Sequence, residues 1–374
     1  MLPKVLIGKS REIGYESPSN IALVKYWGKY GRQYPRNTSL SFTLSKAKSI
    51  TYCKYQFSDK KSPNLDLSFY FEGKRNQQFE DRIRKFLLSI QDEFEWIPFT
   101  QFDINSKNTF PHSSGIASSA SALSALALCL IDIHFHIQKV SDSDTKNDNE
   151  NDNLGEPLVE DKKLQKASFI ARLGSGSASR SIFPKLALWG VHPDFALSSN
   201  DYAIPFYEHF DTIFHDYQDD ILIVSKREKS VSSSAGHKLM EDNPYAAVRY
   251  QQANQNISVL VKAMKEGDLN KFIQIVESEA MTLHALMMCS SPSYILMEPN
   301  TIEIINRIRQ FRVSTKVPIC FTLDAGPNVH ILYPKSYKSE ANAFIMKELI
   351  PLSEGGLIIE DEVGMGPKKM QNIS

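Results

Sequence analysis

Residues 317–333 read VPICFTLDAGPNVHILY, two apolar runs on either side of the polar knot Asp324-Ala-Gly-Pro-Asn328. Apolar runs bounded by Gly, Pro and Asn predict strands at Val317–Leu323 and Val329–Tyr333, joined by a turn. A carboxylate at a strand end either caps that turn or faces a cleft and does chemistry. Upstream, helical patterning predicts helices at Pro244–Glu266, Leu269–Met281 and Asn300–Arg312, and downstream one at Ser339–Leu349. The strand DILIVSK opens this second half, so a boundary is expected near Tyr217, giving domains 1–216 and 217–374. The first half carries strand-like KSITYCKYQF, DLSFYFEG and FDINS, with an amphipathic helix marked by Phe79, Ile83, Phe86, Leu87 and Ile90. KKLQKASFIARLG then reads as a helix stopping at Gly174. This mixture of hairpin-like and crossover spacings predicts an α+β fold rather than a doubly wound sheet.

At 374 residues the chain can bury a substantial core and is long enough for two domains. Lys+Arg and Asp+Glu both number 43, so no global basic field is available for nucleic acid or a membrane, and an anionic ligand needs a local cluster. Four widely spaced cysteines form no CxxC pair, which suggests neither a zinc site nor a disulfide framework. The expected setting is the cytoplasm. No metal-ligand spacing is visible among the nine histidines, and His134 and His136 are expected to be structural.

Gly115–Ile137, GIASSASALSALALCLIDIHFHI, could be mistaken for a membrane span, but Asp132, two histidines and its serines favour a buried helix against a sheet. Residues 141–161 are acidic, Asn-rich and nearly free of large apolar side chains, and are expected to form a mobile insertion.

Four segments carry chemistry. In NIALVKYWGKYGR, Lys25 follows the apolar run Ile21–Val24, with Tyr26, Lys29 and Arg32 close behind. The cluster is either a solvated strand end or a phosphate grip at a cleft. FPHSSGIASSAS is a Gly/Ser turn opening into a helix, able to bring backbone amides to an anion, though it is not a Walker A loop. RLGSGSASRS surrounds Arg180 with hydroxyls, either as a linker or as a ligand loop. Asp324 is the fourth element. Two anion cradles, two lysines, one arginine and one carboxylate match phosphoryl transfer between small molecules, in which the protein positions reactants and offsets charge.

In order, NIALVKYWGK, FPHSSGIASSAS, RLGSGSASRS and LDAGPN resemble the segments of the diphosphomevalonate decarboxylases of the GHMP kinase superfamily, and VSSSAG at 231–236 and VGMGP at 363–367 extend the resemblance from Ser17 to Pro367. The chain departs from that pattern before Gly115, where the family has Thr-Ala-Ala, and at Ser179, where Cys is common. The resemblance implies a ribosomal protein S5 domain 2-like N-terminal domain, a ferredoxin-like C-terminal domain, a cleft between them and a homodimer. It also implies ATP-dependent decarboxylation of mevalonate 5-diphosphate to isopentenyl diphosphate, with Mg²⁺ arriving on the ATP phosphates rather than in a protein cage. In the implied roles, Asp324 orients the C3 hydroxyl, Lys25 offsets charge beside it, and Arg180 holds the C1 carboxylate. Asn20, Tyr26, Lys29, Arg75, Ser175, Ser177, Ser232 and Ser233 would contact substrate, and Gly115, Ser118 and Ser119 would meet the ATP phosphates.

Two rivals remain. A related small-molecule kinase or decarboxylase could act on mevalonate or its monophosphate, and a non-catalytic superfamily member could serve as a binding protein. Retention of Asp324, Lys25 and Arg180 together argues against the kinase and the binding protein.

Overall fold

The computed structural model describes residues 2–111, 118–145, 156–206, 210–227 and 230–371. Two long strands organise the first half. Ser10–Val24 and Ser39–Phe57 pair antiparallel along most of their length, with irregularities near Ser19 and Leu23. Thr100–Asn108 joins the other edge of Ser39–Phe57, and Asp66–Phe71 lies parallel to it. Helix α1, Gln77–Ser89, makes the crossover that a parallel pair requires. Its start is capped by Asn76, whose side chain accepts from the Phe79 amide.

Helix α2 (Ser118–Thr145) covers one face of this sheet, and α3 (Glu156–Gly174) packs on α2 and on the short helix Gly176–Ile182. The segment Ser118–Asp142 is long and apolar enough to cross a membrane, yet 72% of its most apolar window is buried inside the molecule. Its small residues let it lie close to the sheet: Ala120, Ala125, Ala127 and Ser124 are all fully enclosed. The expectation of a mobile insertion over 141–161 needs correction. Residues 141–145 continue α2 and residues 156–161 already belong to α3, while 146–155 lie outside the described residues. Composition underrated both ends because helix continuation draws on an existing helix, where each added residue gains a hydrogen bond without a new nucleus.

The second half contains α4 (Ser233–Lys238), α5 (Ala246–Glu266), α6 (Leu269–Met288), α7 (Pro299–Thr315) and α8 (Lys338–Phe344). A four-stranded antiparallel sheet runs in the order Cys320–Thr322, Val329–Tyr333, Gln218–Leu222, Ile358–Glu362. Strand Val329–Tyr333 has the bounds read from sequence, whereas its partner is shorter, with Val317–Ile319 leading in outside the ladder. The mixed α+β expectation holds.

The two halves are joined by a shared core and a backbone clip. Ile21, Leu23, Leu40 and Phe42 from the first sheet pack with Tyr217 and Ile221 of the second and with Ile257, Leu260 and Phe272 of α5 and α6. Asp361 accepts hydrogen bonds from the amides of Ser45 and Lys46 at 2.8 Å and of Ala47 at 2.7 Å. Next to it, Gly364 donates to the Thr43 carbonyl at 2.7 Å. A Cβ on Gly364 would stand 2.1 Å from the Leu44 carbonyl oxygen, so only glycine permits this approach, which accounts for the first glycine of VGMGP. The tail then returns to the first sheet, where Lys368–Lys369 pairs with Tyr15 and Glu16.

Asp361→Ala leaves three amides at this junction without their acceptor. The expected outcome is a loss of about 2 kcal/mol or more in urea unfolding, with a smaller loss for Asp361→Asn. Unchanged unfolding midpoints in both would remove the clip from the account of how the halves are joined.

Candidate active site

The strand Ser10–Val24 stops one residue before Lys25, and Leu323 ends the buried approach to Asp324. The two side chains meet 299 positions apart in sequence, with Lys25 Nζ donating to Asp324 Oδ1 at 3.0 Å. The pair is lopsided: the Lys25 side chain is 2% exposed and that of Asp324 28%. Burial pushes the Lys25 ammonium below its usual range, and Asp324 and then Glu279 pull it back. The turn that carries Asp324 is pinned on three sides. His284 Nε2 lies 3.0 Å from the Asp324 carbonyl, Thr301 donates to the Pro327 carbonyl at 2.7 Å, and Asn328 accepts from the Ser225 amide at 3.0 Å.

A cleft of about 940 Å³ opens over this pair. It is lined by Lys25, Asp324, Arg180, Asn20, Tyr26, Lys29, Ser175, Ser177, Ser118, Ser119, Ser232 and Ser233, so all but two of the site residues named from sequence converge on one cavity. Gly115 lies outside the described residues. Arg75 lies apart from this cavity. It is not among the lining residues; it sits on a short edge strand with its side chain 57% exposed and forks onto Glu80 at 3.1 and 3.2 Å. Glu80 is almost fully enclosed, so it takes both Arg75 and Arg84 as counter-ions. Arg82, on α1, does line the cleft.

Arg180 is the most constrained cation. It rises from the short helix Gly176–Ile182, is 2% exposed, and donates through Nε to Asn20 Oδ1 at 3.3 Å. Asn20 is itself oriented by donating to the Ser177 carbonyl at 3.1 Å and to Ser181 Oγ at 2.8 Å. Burial lowers the guanidinium to about 10, opposed by Asp324. Its Nη1 and the Tyr26 hydroxyl are both buried without a hydrogen-bond partner among the described residues. Arg180 and Tyr26 both line the cleft, and an oxyanion bound there would supply the acceptors these buried donors lack. Ser179, where the sequence departs from the family pattern, donates to the Gly176 carbonyl at 2.8 Å and holds this loop from behind.

Residues that sequence reasoning missed hold the others in place. His237, on α4, stacks on Tyr26 and Trp27 at 4.4 and 4.6 Å and accepts the Gly28 amide at 2.9 Å. Burial lowers its pKa to about 3, so it is neutral and free to accept. Gly28 takes a φ of +105° and a Cβ there would fall 2.1 Å from the Tyr250 hydroxyl, which explains the glycine in KYWGK. Glu279, fully buried, accepts the Lys25 amide at 2.9 Å and is gripped by Arg249 and Asn256. Among the described residues no group of three or more His, Cys, Asp or Glu is arranged to hold a metal.

Comparison with known proteins agrees with this geometry. Residues 17–147 match the diphosphomevalonate decarboxylase-like N-terminal domain, and residues 220–370 match the mevalonate 5-diphosphate decarboxylase C-terminal domain. The diphosphomevalonate decarboxylase of Candida albicans is 25% identical over 94% of this chain and 96% of its own length. That of Saccharomyces cerevisiae is 27% identical over 88% and 80%, and the phosphomevalonate decarboxylase of Haloferax volcanii 24% over 83% and 84%. Among solved structures, mevalonate diphosphate decarboxylase from Staphylococcus aureus superposes with a TM-score of 0.77 at 23% identity, covering 97% of this chain and 99% of that one. A structure described as MDDEF in complex with MVAPP, AMPPCP and magnesium gives 0.77 at 24%, covering 97% and 100%. The architecture is thus the two-domain, GHMP-kinase-like one, and with both of its domains matched the chain belongs to the diphosphomevalonate decarboxylase family.

Proposed function

We infer that this chain catalyses the ATP-dependent decarboxylation of mevalonate 5-diphosphate to isopentenyl diphosphate, through phosphorylation of the C3 hydroxyl, in the mevalonate pathway of isoprenoid synthesis. The family assignment supports the reaction. One observation carries the site: a buried lysine–carboxylate pair beside open guanidinium and phenol donors in a single cleft.

In this reading Asp324 accepts a hydrogen bond from the C3 hydroxyl and takes its proton as the γ-phosphoryl group of ATP arrives. A tertiary alcohol is a far weaker acid than a carboxylic acid, so the transfer belongs late in the step, when the oxygen already bonds phosphorus. Lys25 offsets the charge that builds beside Asp324. The new phosphate ester then leaves C3 as inorganic phosphate with its bonding electrons. The C1–C2 bond electrons form the C2–C3 double bond, and the carboxylate departs as carbon dioxide. Arg180 holds that carboxylate before it leaves. Because its charge is consumed in the reaction, the guanidinium contributes orientation rather than transition-state binding.

Tyr26 and Lys29 reach the 5-diphosphate, with Asn20, Ser175 and Ser177 closing that end. Ser118 and Ser119 on α2, and Ser232 and Ser233 on α4, serve as hydroxyl contacts at the phosphate end of the cleft. Magnesium fits only as an ion carried by ATP phosphates, since Asp324 is the sole carboxylate among the described cleft-lining residues. Bound there, it would supply charge neutralisation of the phosphates. Cytoplasmic location and a homodimer complete the proposal.

In this structure Arg75 engages Glu80, and the monophosphate stands as the alternative substrate. Purified protein given ATP and mevalonate 5-diphosphate should release ADP and carbon dioxide in equal amounts. ADP without carbon dioxide would indicate a kinase, and turnover confined to the monophosphate would move the substrate assignment.

Asp324→Asn keeps the shape but loses charge and basicity, so turnover should fall by about 10²–10⁴, while mevalonate 5-diphosphate binding by calorimetry changes far less. If Asp324 only capped its turn, the same variant would remain active, because Asn caps as well.

A further inference from the structure

Lys25 and Asp324 follow strands of different sheets, Ser10–Val24 and Cys320–Thr322, and among the described residues these two strands do not pair with each other. Beyond the shared core and the clip at Asp361 and Gly364, their 3.0 Å separation calls for something that touches both. Helix α6 does. It packs against the strand Ser10–Val24 and against Cys320–Thr322. From this helix Glu279 accepts the Lys25 amide at 2.9 Å, and five residues on, His284 Nε2 lies 3.0 Å from the Asp324 carbonyl oxygen. Leu283, between them, reaches the cleft wall, whereas neither Glu279 nor His284 lines it.

We propose that His284 is a positioning residue for the reaction inferred above: it fixes the main chain of Asp324 from the same rigid helix on which Glu279 fixes that of Lys25. A carbonyl can only accept, so His284 Nε2 must carry the proton and donate it. The ring is 2% exposed and burial lowers its pKa to about 4, which keeps it neutral with a single N–H across the working range. Glu279 is held in turn by Arg249 Nη1 at 2.8 Å and Asn256 Nδ2 at 2.6 Å, so the helix end of the contact does not swing. The Asp324 carbonyl also accepts the Gly326 amide at 2.8 Å. That bond closes the local turn but refers it to nothing outside, and the bond from His284 ties the turn to the helix.

The inference rests on the decarboxylase reading, and the wild-type assay separates the two. If wild type makes no carbon dioxide, the reading fails. If wild type is active and His284 is irrelevant, only this inference fails. His284→Leu, folded by circular dichroism, should lower kcat by about 10²-fold through misplacement of the carboxylate, with the KM for ATP and for mevalonate 5-diphosphate altered less than about threefold. His284→Gln, whose amide can still donate to the carbonyl, should recover most of the loss, and a crystal structure of the Leu variant should show the Lys25–Asp324 contact lengthened. Should the Leu variant not fold, His284→Asn, too short to reach, takes its place. A folded variant lacking the donor but keeping wild-type kcat overturns the proposal. So does a loss confined to KM, or an equal loss in the Gln variant.

Discussion

A lysine taken almost wholly out of water has to be met by negative charge, and much of this architecture serves that requirement. Loss of hydration disfavours the ammonium form, and a single carboxylate at 3.0 Å is its nearest compensation. Glu279 is the next closest negative group, but Arg249 already claims it as a buried partner. Arg180 adds a second enclosed cation within reach of the same carboxylate. Lys25, Arg180 and Asp324 together leave an excess of positive charge in a poorly solvated place. That excess cannot be relaxed by the protein, and an anionic substrate is the natural counter-ion.

Keeping these charges together is a problem in long-range geometry. The lysine lies near the start of the chain and the carboxylate near its end, so the halves have to be fixed to each other by more than apolar packing. The core at the junction gives area without register. Register comes from directional contacts: Asp361 on the amides of residues 45–47, Gly364 against the Leu44 carbonyl, and α6 touching both sides of the pair. A hydrophobic surface can slide by an ångström at small cost, whereas a set of short hydrogen bonds cannot.

These two kinds of information differ in how far sequence displays them. Segments whose function is local were legible: the strand Val329–Tyr333, the helix stop at Gly174, and the Lys25–Lys29 and Asp324–Asn328 motifs all announce themselves in a few consecutive residues. The strand Ser39–Phe57 is longer than the KSITYCKYQF run that marks it in sequence, because its first half is buried on both faces and lacks the alternation of a half-exposed strand. The contact between Arg75 and Glu80 is set by the fold of a short edge strand against a helix start, which no run of consecutive residues displays. Glu279 and His284 sit in an ordinary amphipathic helix, where a buried acid and a buried histidine look like any other polar interruption. Their partners are 254 and 40 residues away, and only the folded chain brings them together.

The unequal exposure of the central pair also divides the labour between its members. Lys25, at 2% exposure, presents far less of its surface to the cleft than Asp324 does. In a site of low polarisability a fixed charge a few ångströms away is worth far more than in water. Asp324 keeps 28% of its surface towards the cleft, so a hydroxyl can reach the carboxylate while the ammonium remains behind it. Reversing that exposure would place the amine in front of the substrate and the base behind it, which suits imine chemistry rather than transfer of a proton from an alcohol. The burial pattern itself therefore selects between two reactions that the same two side chains could support.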